Sequence, residues 1–349
     1  MGKYSDSEKW EDVVPIPQDD GGPNPLAAIA YTEEYSEAMS YLRAVMAEDE
    51  KSERVLELTG HIIRMNPAHY TVWLYRASVV FAIERDLLQE LEWLNRISLK
   101  HLKNYQIWYY FPPLPPNSTL SHSIPCPMPT NLEQHRHHRQ TIMTHIPTLP
   151  TTELPFLNTM FSRDAKNYHV WSYRQWLVRH FSLWDNELTY IETLLRDDIR
   201  NNSAWNHRWF VVFARHVAPD RGTGREALAV PVTEPAIVQR EMEYAKAGIA
   251  LAPQNQSPWS YLRACVRMME GGRLGQLRGF AEGFADVERE EEVRSSHALD
   301  LLAEVYAEEE GERERAGRVL ELLARRYDPI RKNYWDYRRG LLGLGKASG

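Results

Sequence analysis

Asn167-Tyr168-His169-Val170-Trp171-Ser172-Tyr173-Arg174 is one period of a repeating chain. The same frame, Asn or His, then Trp four places on and Arg three further, returns as His69-Tyr70-Thr71-Val72-Trp73-Leu74-Tyr75-Arg76 and as Asn201-Asn202-Ser203-Ala204-Trp205-Asn206-His207-Arg208. Trp73 and Trp108 lie 35 residues apart, and Trp171 and Trp205 lie 34 apart. That length holds two short helices and two turns. A fixed period of this size marks a solenoid, in which each hairpin buries its apolar face only against a neighbour.

One period is broken. Trp108 and Trp171 are 63 residues apart, and so are Arg76 and Arg139, while Arg139 and Arg174 keep the normal 35. The surplus therefore falls between Trp108 and its Arg. Removing residues 109–136 joins Asn104-Tyr105-Gln106-Ile107-Trp108 to His137-His138-Arg139 and restores the frame. The removed 28 residues hold seven prolines, a density that excludes a helix because each ring deletes an amide donor and clashes with the preceding turn. The segment reads as an irregular loop or as an intron retained in the reading frame. Two weaker copies follow, Asn255-Gln256-Ser257-Pro258-Trp259 with Arg263 one place late, and Asn333-Tyr334-Trp335-Asp336-Tyr337-Arg338.

Each block reads as a helix start. Asn is a strong N-cap, its side-chain oxygen taking an orphan amide of the first turn, and Trp and Arg three apart share one helical face. Residues 187–199 supply a second helix of the hairpin, with Leu188, Ile191, Leu194, Leu195 and Ile199 as its apolar stripe; Val55, Leu58, Ile62 and Met65 form a similar one. The recurring Trp and Arg are expected to fill the core, make cation–π contacts and pair with carboxylates that tie neighbouring hairpins.

With 41 Lys and Arg against 48 Asp and Glu, the net charge of −7 leaves no basic footprint for nucleic acid. Cys126 and Cys265 make no disulfide framework, which suits a reducing compartment; with no signal peptide and no apolar run of spanning length, a cytoplasmic location without a transmembrane segment is expected. Residues 1–30, with Pro15, Pro17, Pro23, Pro25 and Asp19-Asp20-Gly21-Gly22, read as a Pro-rich extended arm, and 31–345 as the solenoid. Residues 219–235 and 271–283 read as long loops. His135, His137 and His138 tempt a metal reading, but adjacent histidines on a helix diverge, and no metal site is assigned.

Lys166 directly precedes the cap Asn167, so its ammonium and the positive helix end converge, an arrangement suited to a phosphate group. Lys103 before Asn104 and Arg200 before Asn201 are placed in the same way.

The blocks 164–171 and 200–206 resemble the prenyltransferase alpha-subunit repeat, and so does Leu183-Trp184-Asp185-Asn186-Glu187-Leu188. The leader from Trp10 through Pro25 is similar to that of the alpha subunits shared by protein farnesyltransferase and geranylgeranyltransferase type I. The resemblance implies an all-α fold, a right-handed α–α superhelix whose helical hairpin repeats form a crescent around a catalytic beta subunit. It implies transfer of a prenyl group from prenyl diphosphate to the Cys of a C-terminal CaaX motif, inactive without that partner. Zinc, held by the beta subunit, and magnesium are implied for the holoenzyme, and none for this chain alone. Among the three cations the resemblance singles out Lys166 as the catalytic one, reaching the diphosphate. It places Tyr168 and His169 at the substrate, His169 near the substrate's terminal carboxylate, with Arg174, Asn201 and Trp205 in support. Two other readings stand beside this one: a tetratricopeptide-like peptide-binding scaffold, and the Rab geranylgeranyltransferase alpha subunit, which the Pro-rich leader disfavours.

Overall fold

The computed structural model describes residues 2–19, 21–22, 29–108, 138–215 and 234–344. The insert 109–136, Cys126, His135, His137 and most of the expected loop 219–235 lie outside them. The described residues are helical with no strand. They divide into two compact units, Met1–Leu183 and Trp184–Gly349, each a succession of helical hairpins.

The first unit holds α1 (Glu33–Ala47), α2 (Glu53–Met65), α3 (Tyr70–Ala82), α4 (Leu87–Lys100), α5 (Tyr105–Trp108), α6 (His138–Thr144), α7 (Glu153–Arg163) and α8 (Tyr168–His180). The second holds α9 (Glu187–Asp197), α10 (Asn202–Phe213), α11 (Pro235–Leu251), α12 (Gln256–Met268), α13 (Arg278–Glu282), α14 (Ser296–Glu308), α15 (Arg313–Leu322) and α16 (Lys332–Leu341). Of the expected stripes, Val55, Leu58 and Ile62 on α2 and Ile191 and Leu195 on α9 are buried, whereas Met65, Leu188 and Leu194 are half-buried and Ile199 falls beyond the end of α9.

The repeated asparagine does more than cap. Its Oδ1 accepts the amide of His169 from Asn167, of Ser203 and Ala204 from Asn201, and of Ser257 from Asn255. Its Nδ2 reaches back to the turn of the preceding hairpin: Asn104 to the Pro67 carbonyl (2.8 Å), Asn167 to Leu102 (2.6 Å) and Asn255 to Ile199 (2.8 Å). The same carbonyls of Pro67 and Ile199 also accept the indole N–H of Trp73 and Trp205, each six residues on. One carbonyl thus joins two hairpins. Ser295 replaces Asn in the next step, capping Ala298 and donating to Pro253. His69 makes no side-chain cap bond, and α16 begins at Lys332 rather than after Asn333.

The repeated arginine finds a buried carboxylate and an aromatic ring three residues after it. Arg76 makes a two-pronged bond to Glu90 (2.8 Å each) under Trp93, Arg139 bonds Glu153 (2.8 and 2.6 Å) beside Phe156, and Arg208 bonds Glu241 (2.6 and 3.0 Å) over Tyr244. The residue two places after the Trp of the following hairpin, or in its place before Arg139, supplies another donor to that carboxylate: His138, directly before Arg139, to Glu90; Tyr173, directly before Arg174, to Glu153; and Tyr261, two places before the displaced Arg263, to Glu241. Burial alone would raise the Glu90 carboxyl, but His138 and Arg76 overcome it and hold it down at about 2. His138 is therefore a carboxylate partner in the core.

Two expectations need correction. Residues 2–12 are not an extended arm: Tyr4 and Trp10 are buried against Tyr41 and α2, because aromatic burial there outweighs the cost of ordering a terminus. The proline-rich character starts only beyond them, where the Ile16 amide donates to Ser40 O and Arg43 Nε donates to Ile16 O. Nor is 271–283 a plain loop. After a turn at Gly271, with φ of +67°, come a 3-10 turn (Leu274–Leu277) and α13, whose Leu274, Leu277 and Ala281 are buried at helical spacing.

Candidate functional site

In the first unit two interhelical turns stand side by side, 101–104 before α5 and 164–167 before α8. Asn167 fastens them, with Oδ1 on the His169 amide and Nδ2 on the Leu102 carbonyl. Asp164 is the second clasp: its Oδ1 accepts the Lys166 amide (3.1 Å), and its Oδ2 lies 3.5 Å from the Lys103 ammonium. The indole of Trp171 donates to Ala165 O (2.9 Å) from below. Both lysines are exposed, on turns whose backbone is held at several points.

Beside them lies an aromatic cluster. The His169 ring contacts Tyr105 edge-on (4.4 Å) and Tyr168 (3.9 Å), and both tyrosines keep about half their surface in water, 54% and 46%. His169 itself is buried. Burial first, and then the Lys103 charge, lowers its imidazole to about 4, so the ring is neutral near pH 7 and offers hydrogen bonds rather than a cation.

The structure therefore places Lys166 on the turn and Tyr168 and His169 in the first turn of α8 that follows it, and adds Lys103 and Tyr105 from the facing turn and α5. Sequence reasoning noted Lys103 as an equal of Lys166 by position and missed Tyr105, whose signal was its place in the frame, shared with Tyr168 and Tyr70. Arg174 is buried on α8. Asn201 and Trp205 belong to the second unit: Asn201 caps α10, and Trp205, buried, donates to Ile199 O (2.8 Å). Among the described residues no three His, Cys, Asp or Glu side chains converge as a metal site, and no helix is long and apolar enough to cross a membrane.

The protein prenyltransferase alpha subunit repeat matches at residues 52–83, 150–181, 184–215 and 238–269, so the chain is built of the repeats that define that class. It is 34% identical over 338 residues to the protein farnesyltransferase/geranylgeranyltransferase type-1 subunit alpha of Candida albicans, covering 94% of this chain and 95% of that one. The Dictyostelium discoideum protein of the same name is 33% identical over 337 residues, 96% of this chain and 92% of that one. Among solved structures, a chain of Candida albicans protein geranylgeranyltransferase-I complexed with GGPP matches with a TM-score of 0.74 and 33% identity, over 95% of this chain and 97% of that one. The chain belongs to the family of protein farnesyltransferase/geranylgeranyltransferase type-1 alpha subunits, and is thus a transferase subunit.

Proposed function

We propose that this chain pairs with a beta subunit and that its Lys166 turn faces the prenyl diphosphate in the assembled enzyme. The pair transfers a farnesyl or geranylgeranyl group to the Cys of a C-terminal CaaX motif in the cytoplasm. The observation that carries the reading is the clasped pair of turns, which places two surface lysines beside half-exposed tyrosines. As C1 of the prenyl group is attacked by the substrate sulfur, negative charge builds on the departing diphosphate. A lysine whose turn is held by Asp164 and Asn167 would meet that charge without rearrangement of its backbone, which is where such a cation lowers a barrier. Zinc on the partner would supply a thiolate and magnesium would supply charge on the diphosphate; the described residues of this chain offer no ligand set for either. Tyr168 and neutral His169 would line the substrate side, with a hydrogen bond, not an ion pair, available to a terminal carboxylate. Arg174, Asn201 and Trp205 act in support, through the helices they hold.

One observation favours a second assignment of the cation. Lys103 lies on the facing turn, is exposed and sits close enough to act on His169. Coexpression with a beta subunit, followed by steady-state prenylation of a CaaX peptide by Lys166→Ala and Lys103→Ala, separates the two. Loss of the diphosphate cation lowers kcat by about 10²–10³, equivalent to roughly 3–4 kcal/mol. Absence of any complex with a beta subunit overturns the proposal as a whole.

A further inference from the structure

The N-terminal segment closes a groove of about 360 Å³ over α2, whose charged lining is Lys3, Lys9, Arg54, Glu57 and Arg64, with Ser7 on one wall. Four of those side chains are permanent cations and one is a carboxylate, in a protein whose net charge is −7. Two of the cations are spoken for. Lys9 pairs with Glu57 (2.6 Å), and Arg54 is spanned by Asp12 (2.6 Å) and Glu50 (2.6 Å). Among the described residues, the Lys3 ammonium and the Arg64 guanidinium have no carboxylate in ion-pair range.

The nearby acids are committed elsewhere. Glu37 accepts the backbone amides of Lys3, Tyr4 and Ser5 and so fixes the stem of Lys3. Glu34 accepts from His61 Nε2 (2.9 Å), while the Tyr4 hydroxyl donates to His61 Nδ1 (2.6 Å). Burial lowers the His61 imidazole, and the charges of Lys3 and Arg64 lower it further, so both cations bear on the same ring from different elements. Lys3 and Arg64, on one groove and each without a carboxylate in ion-pair range, would both gain a partner from an anion bound between them. On the wall stands Ser7, at the N-cap position of the Glu8–Trp10 turn, yet its hydroxyl makes no cap bond.

We propose that this groove is an oxyanion site that takes a phosphate group between Lys3 and Arg64. The group arrives either as free inorganic phosphate or as a phosphoryl ester on Ser7. In the second case a kinase transfers the γ-phosphoryl of a nucleoside triphosphate: the Ser7 Oγ–P bond forms, the bond to the leaving nucleoside diphosphate breaks, and the hydroxyl proton is released. Held there, the ester ties the N-terminal segment to α2 by charge-assisted hydrogen bonds.

The test uses the full chain copurified with a beta subunit, with Lys3→Gln/Arg64→Gln as the comparison. Both substituted side chains are polar and lie at the surface, and an unchanged thermal midpoint shows that the fold is intact. In the first arm, inorganic phosphate is titrated and followed by calorimetry; saturable binding weakened at least tenfold in the double variant supports a free-ion site. In the second, phosphoserine is encoded at position 7 and titrated by phosphorus NMR. Its second ionisation, ordinarily near ~6, falls by about one unit relative to the double variant if the cations hold it. Binding that the double variant retains, together with an undisturbed phosphoserine ionisation, overturns the proposal.

Discussion

Asn255 offers the cleanest test of how the hairpins are joined, because its two bonds are separable by substitution. Its Oδ1 accepts the Ser257 amide at 3.3 Å and its Nδ2 donates to Ile199 O at 2.8 Å, in a site only 8% exposed. Asn255→Ala removes both: about 1 kcal/mol for the cap and about 1 kcal/mol for the bridging bond. The Ile199 carbonyl keeps the Trp205 indole, so no orphaned acceptor adds to the loss. Asn255→Asp keeps the cap acceptor and gains a few tenths of a kcal/mol from the helix dipole. It loses the donor and sets a carboxylate against a carbonyl. Urea unfolding followed by tryptophan fluorescence should therefore place both variants below wild type, Ala by about 2 kcal/mol and Asp by about 1–2 kcal/mol. An Asp variant as stable as wild type would show that the bond to Ile199 contributes nothing and that the asparagine is only a cap.

Glu90 links stability to acid. Its carboxyl is held at about 2 in the fold against about 4.5 when free, so its contribution is full above pH ~4.5 and is lost as pH falls toward ~2. A shift of that size is worth roughly 3 kcal/mol, and Glu90→Gln should be destabilised at neutral pH and should lose that part of the acid dependence in pH-resolved urea titrations. An unchanged acid slope would contradict the pairing with Arg76 and His138. Deleting residues 109–136 should leave a folded chain that still pairs with the beta subunit, because Asn104 still caps the Ile107 amide and Arg139 still reaches Glu153 and the Trp108 ring. Circular dichroism and copurification check this; a deletion product that fails to fold shows that the segment is integral.

The frame was legible because its first duties are local: a cap two or three residues ahead and an indole bond six residues back need only one hairpin. The bonds between hairpins were legible only in kind: ion pairs by the arginines were expected, but their partners, and the reach of the asparagine amides, were not. Asn104 and Asn167 reach turns 37 and 65 residues away, and the carboxylates that receive the arginines lie 14, 14 and 33 residues on, so connecting segments of unequal length hide the pattern. A Glu followed three places later by an aromatic, as in Glu90 and Trp93, Glu153 and Phe156, or Glu241 and Tyr244, was the available signal. The burial of Tyr4 and Trp10 was masked by the prolines that follow them. At the candidate site, repetition itself limits the reading, since Lys103 and Lys166 occupy one position of the frame and only their surroundings in the assembled enzyme tell them apart.

The central claim is that a lysine on these clasped turns serves the departing diphosphate. The decisive measurement is single-turnover prenylation by the copurified heterodimer with saturating prenyl diphosphate, comparing Lys166→Ala and Lys103→Ala with wild type. In Lys166→Ala the chemical step should slow by about 10²–10³ while the complex and peptide binding persist. Full loss in Lys103→Ala with Lys166→Ala unaffected would move the role to the facing turn. Wild-type rates in both variants, with the heterodimer intact, would contradict the claim.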